Sequence, residues 1–277
     1  MTRLGLLAGG GALPVELAAW RRSVGQPVFV VRLKGFADPA LNAFEGADVG
    51  IAELGRCFDQ LSRAGCDTVC LAGAVSRPNF SSLKPDLRGL AALPGAVAAA
   101  RSGDDALLRY LVQQFEGEGF AVVGAHEVMS DLLLGAGLAG TVAPDAAGRA
   151  DASRAFEVAG AVGSLDIGQG AVVCDGLVLA VEAQEGTDTL LRRLSDLPEA
   201  IRGSPGRPRG VLAKRAKPIQ ERRTDLPTLG VATLEHAAAA GLAGVAGEAG
   251  ATLVLDKLGV IEAADRLGLF LIGLEPG

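Results

Sequence analysis

"RLGLLAGGGALPVELAAWRRSVG", residues 3–25, decides how the first half of the chain is read. It opens as a short apolar run that closes in glycines, the pattern of a buried strand. From Leu13 onward Leu13, Leu17 and Trp20 fall at helical spacing, and Gly25 marks a plausible end. The same alternation continues downstream. "PVFVVRL" (27–33) reads as a strand, "CFDQLSRAG" (57–65) as a helix and "CDTVCLAGAV" (66–75) as another buried strand. "DALLRYLVQQFEGEG" (105–119) carries apolar i, i+3, i+4 spacing, and "FAVVGAH" (120–126) is a strand after it. Strands that alternate with helices predict a mostly parallel sheet covered on both faces.

The pattern changes beyond about residue 130. "APDAAGRADASRAFEVAGAVGSLD" (143–166) is mostly one long helix, and "AVVCDGLVLAVEA" (171–183) holds two β-runs joined by Asp175-Gly176, a hairpin turn dipeptide. Helices near 187–197, 233–240 and 257–267 follow, with strands near 210–213, at "ATLVLD" and at "LFLIGL". The fold class expected is α/β. A Rossmann-like parallel-sheet domain over 1–132 precedes a mixed α/β domain over 133–277, and a ligand cleft lies between them.

Composition narrows the function classes. The chain has 277 residues, 49% of them hydrophobic, and 26 Lys+Arg against 32 Asp+Glu. An acidic balance argues against general nucleic-acid binding, which needs a basic surface. Cys57, Cys66, Cys70 and Cys174 form no CxxC pair, and two histidines are too few for a familiar zinc motif. The cysteines read as inert core residues in a reducing, cytoplasmic compartment. No apolar run is long enough to span a membrane, while a transient visit to the inner-membrane surface stays open. The oligomeric state also stays open, a homodimer included.

Several stretches offer chemistry. "AGGGALP" (8–14) is either a tight βα turn or a backbone cradle for an anion at a helix start. It matches neither GxGxxG nor a P-loop, and Lys34-Gly35 stand where a dinucleotide fold places its ribose-binding acid, so a dehydrogenase is disfavoured. "GAVSRPNF" (73–80) leaves the same sheet edge and carries Gly73 and Arg77. In "SGDDALLR" (102–109) Ser102 or Asp104 reads as a helix cap, with the second acid facing the cleft. Glu182, Glu185 and Asp188 either surround one hard cation or divide between helix capping and an arginine pair. "KRAKPIQERRTDLPTLG" (214–230) sets Lys214, Arg215, Lys217, Arg222 and Arg223 against Glu221 and Asp225 in a proline-pinned loop. Such a loop suits diphosphate recognition or is simply a solvated charged segment.

Taken in order, "GLLAGGGALP", "GDDALLR", "DIGQGAVVCDGLVLAVEAQEGTDTLLRR" and "KRAKPIQERRTDLPTLG" resemble the LpxI-type UDP-2,3-diacylglucosamine pyrophosphatases of lipid A biosynthesis. The resemblance implies hydrolysis of UDP-2,3-diacylglucosamine to UMP and 2,3-diacylglucosamine 1-phosphate, with water directed at the sugar-side phosphorus. It implies a divalent cation such as Mg²⁺, and a substrate held between two domains. Asp225 matches the essential acid. Substrate contacts are expected from Gly10, Gly11, Ala12, Leu13, Gly73, Arg77, Asp104, Asp105, Asp166, Gln169, Thr187, Lys214, Lys217 and Gln220. Metal contacts are expected from Asp225, Glu182, Glu185 and Asp188. A non-catalytic nucleotide-sugar-binding or regulatory module is the rival; it would need the lysines but not the carboxylates.

Overall fold

The structure, a computed structural model, describes residues 3–76, 82–218 and 221–276. It divides into two compact units. The first comprises Met1–Ser130 together with Glu221–Asp225, and the second Asp131–Gln220 with Leu226–Gly277.

The first unit runs β1 (Arg3–Ala8), α1 (Ala12–Ser23), β2 (Val28–Leu33), β3 (Gly46–Val49), α2 (Leu54–Arg63), β4 (Cys66–Ala72), α3 (Leu87–Ser102), α4 (Asp104–Gly117), β5 (Ala121–Val123) and α5 (Ala125–Val128). The strands form one sheet in the order β3-β2-β1-β4-β5. Each neighbouring pair is parallel, so every crossover passes through a helix or a long connection. The order reverses between β1 and β4. In open α/β sheets that switch point opens a crevice at the carboxyl ends of the strands. On one face Phe58 of α2 meets Phe115 of α4 edge-on, ring centroids 5.1 Å apart, and Phe120 closes the trio. Such a pair contributes about 0.5–1.5 kcal/mol beyond its buried area.

Alpha helix α3 has no counterpart in the sequence reading. Its sequence, LRGLAALPGAVAAARS, interrupts the alanines with Gly89, Pro94 and Gly95. The helix forms because Asp86 caps it, accepting from Gly89 N (2.8 Å), and because the same carboxylate accepts from Arg56 N (2.9 Å) at the start of α2. Tyr110 of α4 then donates to Ala92 O (2.9 Å), and close passage at Gly95 admits the Tyr110 ring.

The second unit holds β6 (Gly137–Leu138), α6 (Ala146–Ser164), β7 (Gly170–Cys174), β8 (Leu177–Val181), α7 (Thr187–Leu194), β9 (Val211–Lys214), β10 (Thr228–Leu229), α8 (Val231–Ala239), β11 (Gly244–Glu248), β12 (Leu253–Val254), α9 (Lys257–Leu267) and β13 (Phe270–Leu274). Its main sheet has the order β6-β13-β11-β9-β7-β8. β13, β11 and β9 pair in parallel, and β6, β7 and β8 join antiparallel. Alternate residues serve two cores. Val172, Leu212, Val245 and Leu271 pack with α7, α8 and α9, while Val173, Ala213, Ala246 and Phe270 pack with α6. Both faces being covered explains why these strands read as unbroken apolar runs. The fold class is therefore the expected one: a parallel α/β sheet followed by a mixed one.

The loop 214–230 is not one structural piece. The sequence reading assigned all of it to the second domain, yet Glu221–Asp225 belong to the first unit. The cause is a contact 116 residues apart in sequence, in which Glu221 N donates to Asp105 Oδ1 at 2.6 Å.

Candidate functional site

At the switch point of the first unit, β1 and β4 continue past their ends as a short zipper. Gly9 N donates to Ala72 O (2.8 Å), Gly10 N to Ala74 O (2.8 Å), and Ala74 N returns to Gly10 O (2.9 Å). Glycine is required at 73: φ is +91°, and a Cβ there would lie 2.6 Å from Gly10 O. Gly11, at φ +89°, is the N-cap of α1, whose first residues are Ala12 and Leu13. The turn therefore brings Gly10, Gly11 and Gly73 to one sheet edge. Arg77 lies outside the described residues.

Below this edge is a cavity of about 430 Å³ inside the first unit. Its walls come from the ends of β1, β2, β3 and β4 and from α2, α3 and α4, mainly as Leu, Val and Ala. Its acidic lining residues are Glu53, Asp104 and Asp225, with Thr224 beside the last. Glu53 is held by Gly50 N (2.6 Å) and lies 3.5 Å from Lys34 Nζ.

Asp104 and Asp105 differ from the capping expected of them. The N-cap of α4 is Gly103, at φ +128°, with no side-chain cap. Asp104 is exposed and lines the cavity, while Asp105 is only 3% exposed. Asp105 takes the Glu221 N–H and stands 2.6 Å from Arg109 Nη2. The segment it anchors is a tight turn in which Thr224 N and Asp225 N both donate to Glu221 O (3.0 and 3.2 Å). Arg223 fastens the outer side of that turn. Its Nε and Nη2 reach the two Glu221 oxygens at 2.8 Å each, and its Nη1 reaches Glu116 Oε1 at 2.7 Å. That fork holds the Glu221 carboxyl below its ordinary range and pushes the Arg223 guanidinium up. Asp225 is thus presented to the cavity by a turn fixed at three points.

The second unit gathers a different polar set. Lys214, buried at the end of β9, donates from Nζ to Thr187 Oγ1 (2.8 Å) and Thr228 O (3.2 Å). Thr187 Oγ1 donates in turn to Glu182 Oε1 (2.8 Å). Among the described residues, the buried Glu182 Oε2 and Gln169 Oε1 have no hydrogen-bond partner. Lys217 Nζ donates to Asp166 Oδ1 (2.8 Å). Arg215 stacks on the Phe156 ring at 4.4 Å. The five basic residues of 214–223 are therefore divided between the units, three in the second and two in the first. Gln220 lies outside the described residues.

The LpxI N-terminal domain matches residues 3–132, and the LpxI C-terminal domain matches residues 135–272. The chain belongs to the LpxI family. It is 60% identical over 276 residues to the UDP-2,3-diacylglucosamine pyrophosphatase LpxI of Caulobacter vibrioides, covering 100% of this chain and 99% of that protein. A solved glycinamide-RNase-transformylase T from Mycobacterium tuberculosis overlaps 66% of this chain and 44% of its own, at 18% identity and a TM-score of 0.25, and carries no argument.

The carboxylates at 182, 185 and 188 of this LpxI-family chain each have a partner of their own. Glu182 is tied to Thr187 and not to an arginine, Glu185 is 3.0 Å from Arg193 Nη2, and Asp188 is 3.2 Å from His236 Nδ1. Among the described residues no group of three or more His, Cys, Asp or Glu is placed to hold a metal ion. The spacing 182, 185, 188 looked like a ligand set because a strand end, a turn and a helix start fall close in sequence. Their side chains go to three different partners. Capping at 187–188 is also absent, since Gly186 is the N-cap of α7 and offers no side-chain bond. The Arg223 fork, Glu116 and the walls from α3 were not singled out from sequence. Only the paired acids at 104–105 hinted that one faces inward.

Proposed function

We propose that the protein hydrolyses the pyrophosphate bond of UDP-2,3-diacylglucosamine, releasing UMP and 2,3-diacylglucosamine 1-phosphate. The observation that carries this reading is the cavity of the first unit, whose apolar walls suit a lipid and whose acidic lining includes Asp104 and Asp225. The full-length likeness to a protein named for this substrate supports it. In the reaction a water oxygen bonds to the sugar-side phosphorus while the bond from that phosphorus to the bridging oxygen breaks. The electron pair leaves on the UMP phosphate. Asp225 takes the water proton, a general-base role. Lys214 and Lys217 are the proposed donors to phosphate oxygens.

The carboxylates near 182–188 are engaged by a threonine, an arginine and a histidine, and the first unit offers a second set of oxygens. Mg²⁺ is commonly held by one or two carboxylates, with substrate phosphates and waters completing its shell. Asp225 and Asp104 supply such oxygens on one cavity. When bound, the ion would neutralise charge on the phosphoryl oxygens.

The test is product analysis with the purified protein. Phosphorus NMR should show UMP and the sugar 1-phosphate, EDTA should stop the reaction, and ¹⁸O from labelled water should enter the sugar phosphate and not UMP. Asp225→Ala should lower kcat by roughly 10²- to 10⁴-fold, the usual range for losing a general base. Normal turnover of that variant at saturating magnesium would remove Asp225 from the chemistry.

A further inference from the structure

We infer that Glu182 is a positioning residue, which acts through the Thr187 hydroxyl to fix the direction in which the Lys214 ammonium points. The inference rests on the proposed donation from Lys214 to a phosphate oxygen. It starts from the main sheet of the second unit. Gly170 of β7 stands opposite Lys214 of β9, and on its other side Gly170 O accepts from Glu182 N (2.8 Å), just past the end of β8. Residues opposite one another across a sheet share a face, so Lys214 and Glu182 flank a position that has no side chain. A Cβ on Gly170 would lie 2.5 Å from Glu182 Oε2. Thr187, the first residue of α7, bridges the two across that position. Its Oγ1 accepts from Lys214 Nζ at 2.8 Å and donates to Glu182 Oε1 at 2.8 Å.

Elementary donor and acceptor chemistry gives this relay one direction. A carboxylate only accepts, so the single Thr187 hydroxyl proton goes to Glu182 and the hydroxyl lone pairs are left for Lys214. An ammonium has three N–H donors. Thr187 Oγ1 takes one and Thr228 O takes a second at 3.2 Å, which fixes where the third points. That third N–H is the one left for a phosphate oxygen, and it is aligned before any substrate arrives. Stability alone accounts poorly for Glu182. It is buried, and among the described residues its Oε2 has no hydrogen-bond partner, an arrangement that costs free energy. What the carboxylate supplies is an acceptor that never donates, and so a threonine that always accepts from Lys214.

The experiment pairs kinetics with NMR of the Lys214 ammonium in the full-length protein. The ¹⁵Nζ signal, assigned by its absence in Lys214→Arg, is followed without substrate. Glu182→Gln gives Thr187 an amide that donates as well as accepts. Thr187→Val removes the bridge itself, and serves if the first variant does not fold. Each should move the Lys214 signal and lower kcat/KM for UDP-2,3-diacylglucosamine by about 10- to 150-fold, the factor for losing a hydrogen bond to a charged group. The double variant should lose no more than the more damaged single one, because the relay is broken only once. Thr187→Ser keeps the hydroxyl and should keep the signal and most of the rate. A Lys214 signal unmoved in folded Glu182→Gln, or losses that multiply in the double variant, overturns the inference and leaves the hydrolysis standing. If the unaltered protein releases no UMP, it is the proposed function that fails, and the NMR comparison still decides whether Glu182 orients Lys214.

Discussion

Removing the Asp105 carboxylate should loosen the turn that carries Asp225 without touching Asp225 itself. Asp105 is nearly fully buried and accepts the Glu221 N–H at 2.6 Å. A hydrogen bond to a charged acceptor contributes about 1.5–3 kcal/mol, and its loss also strands a donor. Arg109, half exposed, can turn to water, so the ion pair adds little. Asp105→Ala should therefore raise the opening of residues 221–225 by about 10- to 150-fold. The readout is amide hydrogen exchange at Thr224 and Asp225, whose N–H groups donate to Glu221 O within this turn. On the proposed chemistry kcat should fall with it, while binding of a non-hydrolysable substrate analogue changes little. Asp105→Asn keeps an acceptor at the same place and should recover most of both losses. If Asp105→Ala left exchange and kcat at their original values, the anchoring argument would be refuted.

Three further outcomes follow from the same contacts. The Glu221 carboxyl is held low by the Arg223 fork, so its stabilisation is complete above its ordinary value of 4.5 and is lost as the pH falls through its depressed value. Thermal unfolding of Glu221→Gln should differ from the parent at neutral pH and converge with it in acid. Burial pushes the Cys70 thiol up to about 12, as it does that of Cys57, so neither should react with a thiol reagent at mildly alkaline pH until denaturant is added. Asp151 is buried and takes the N–H groups of Asp175 (2.9 Å) and Gly176 (2.7 Å) at the β7–β8 turn. Asp151→Ala should cost about 1.5–3 kcal/mol in chemical denaturation, the range for losing hydrogen bonds to a charged acceptor.

Residues 3–25 and 66–75 were legible because each strand ends in glycines whose conformation no other residue takes easily, and a period change marks where the helix begins. The Asp175-Gly176 hairpin was legible for the same reason, with both residues at positive φ. What escaped were elements whose local signals conflict. Helix α3 carries a proline and two glycines and is held by a cap, by Tyr110 and by α2, none of which shows as periodicity. The strands at 46–49 and 244–248 are short and glycine-bearing, and they exist because neighbours pair with them. For the site, the turn glycines, Asp104 and Asp225 could be picked out by residue type. The role of Asp105 could not, since its partner lies 116 residues away. Charge spacing did not show the partners at 182–188, where three acids close in sequence meet a threonine, an arginine and a histidine.

The return of Glu221–Asp225 to the first unit has a consequence for inheritance. A gene fragment ending at residue 130 would encode the sheet, the glycine zipper and most of the cavity, yet leave Asp225 behind. Recombination that moved the N-terminal half onto another partner would transmit the hollow with Glu53 and Asp104 but without Asp225. The two halves of this chain can drift in sequence, but they cannot be dealt out separately, because the second holds the few residues that finish the first.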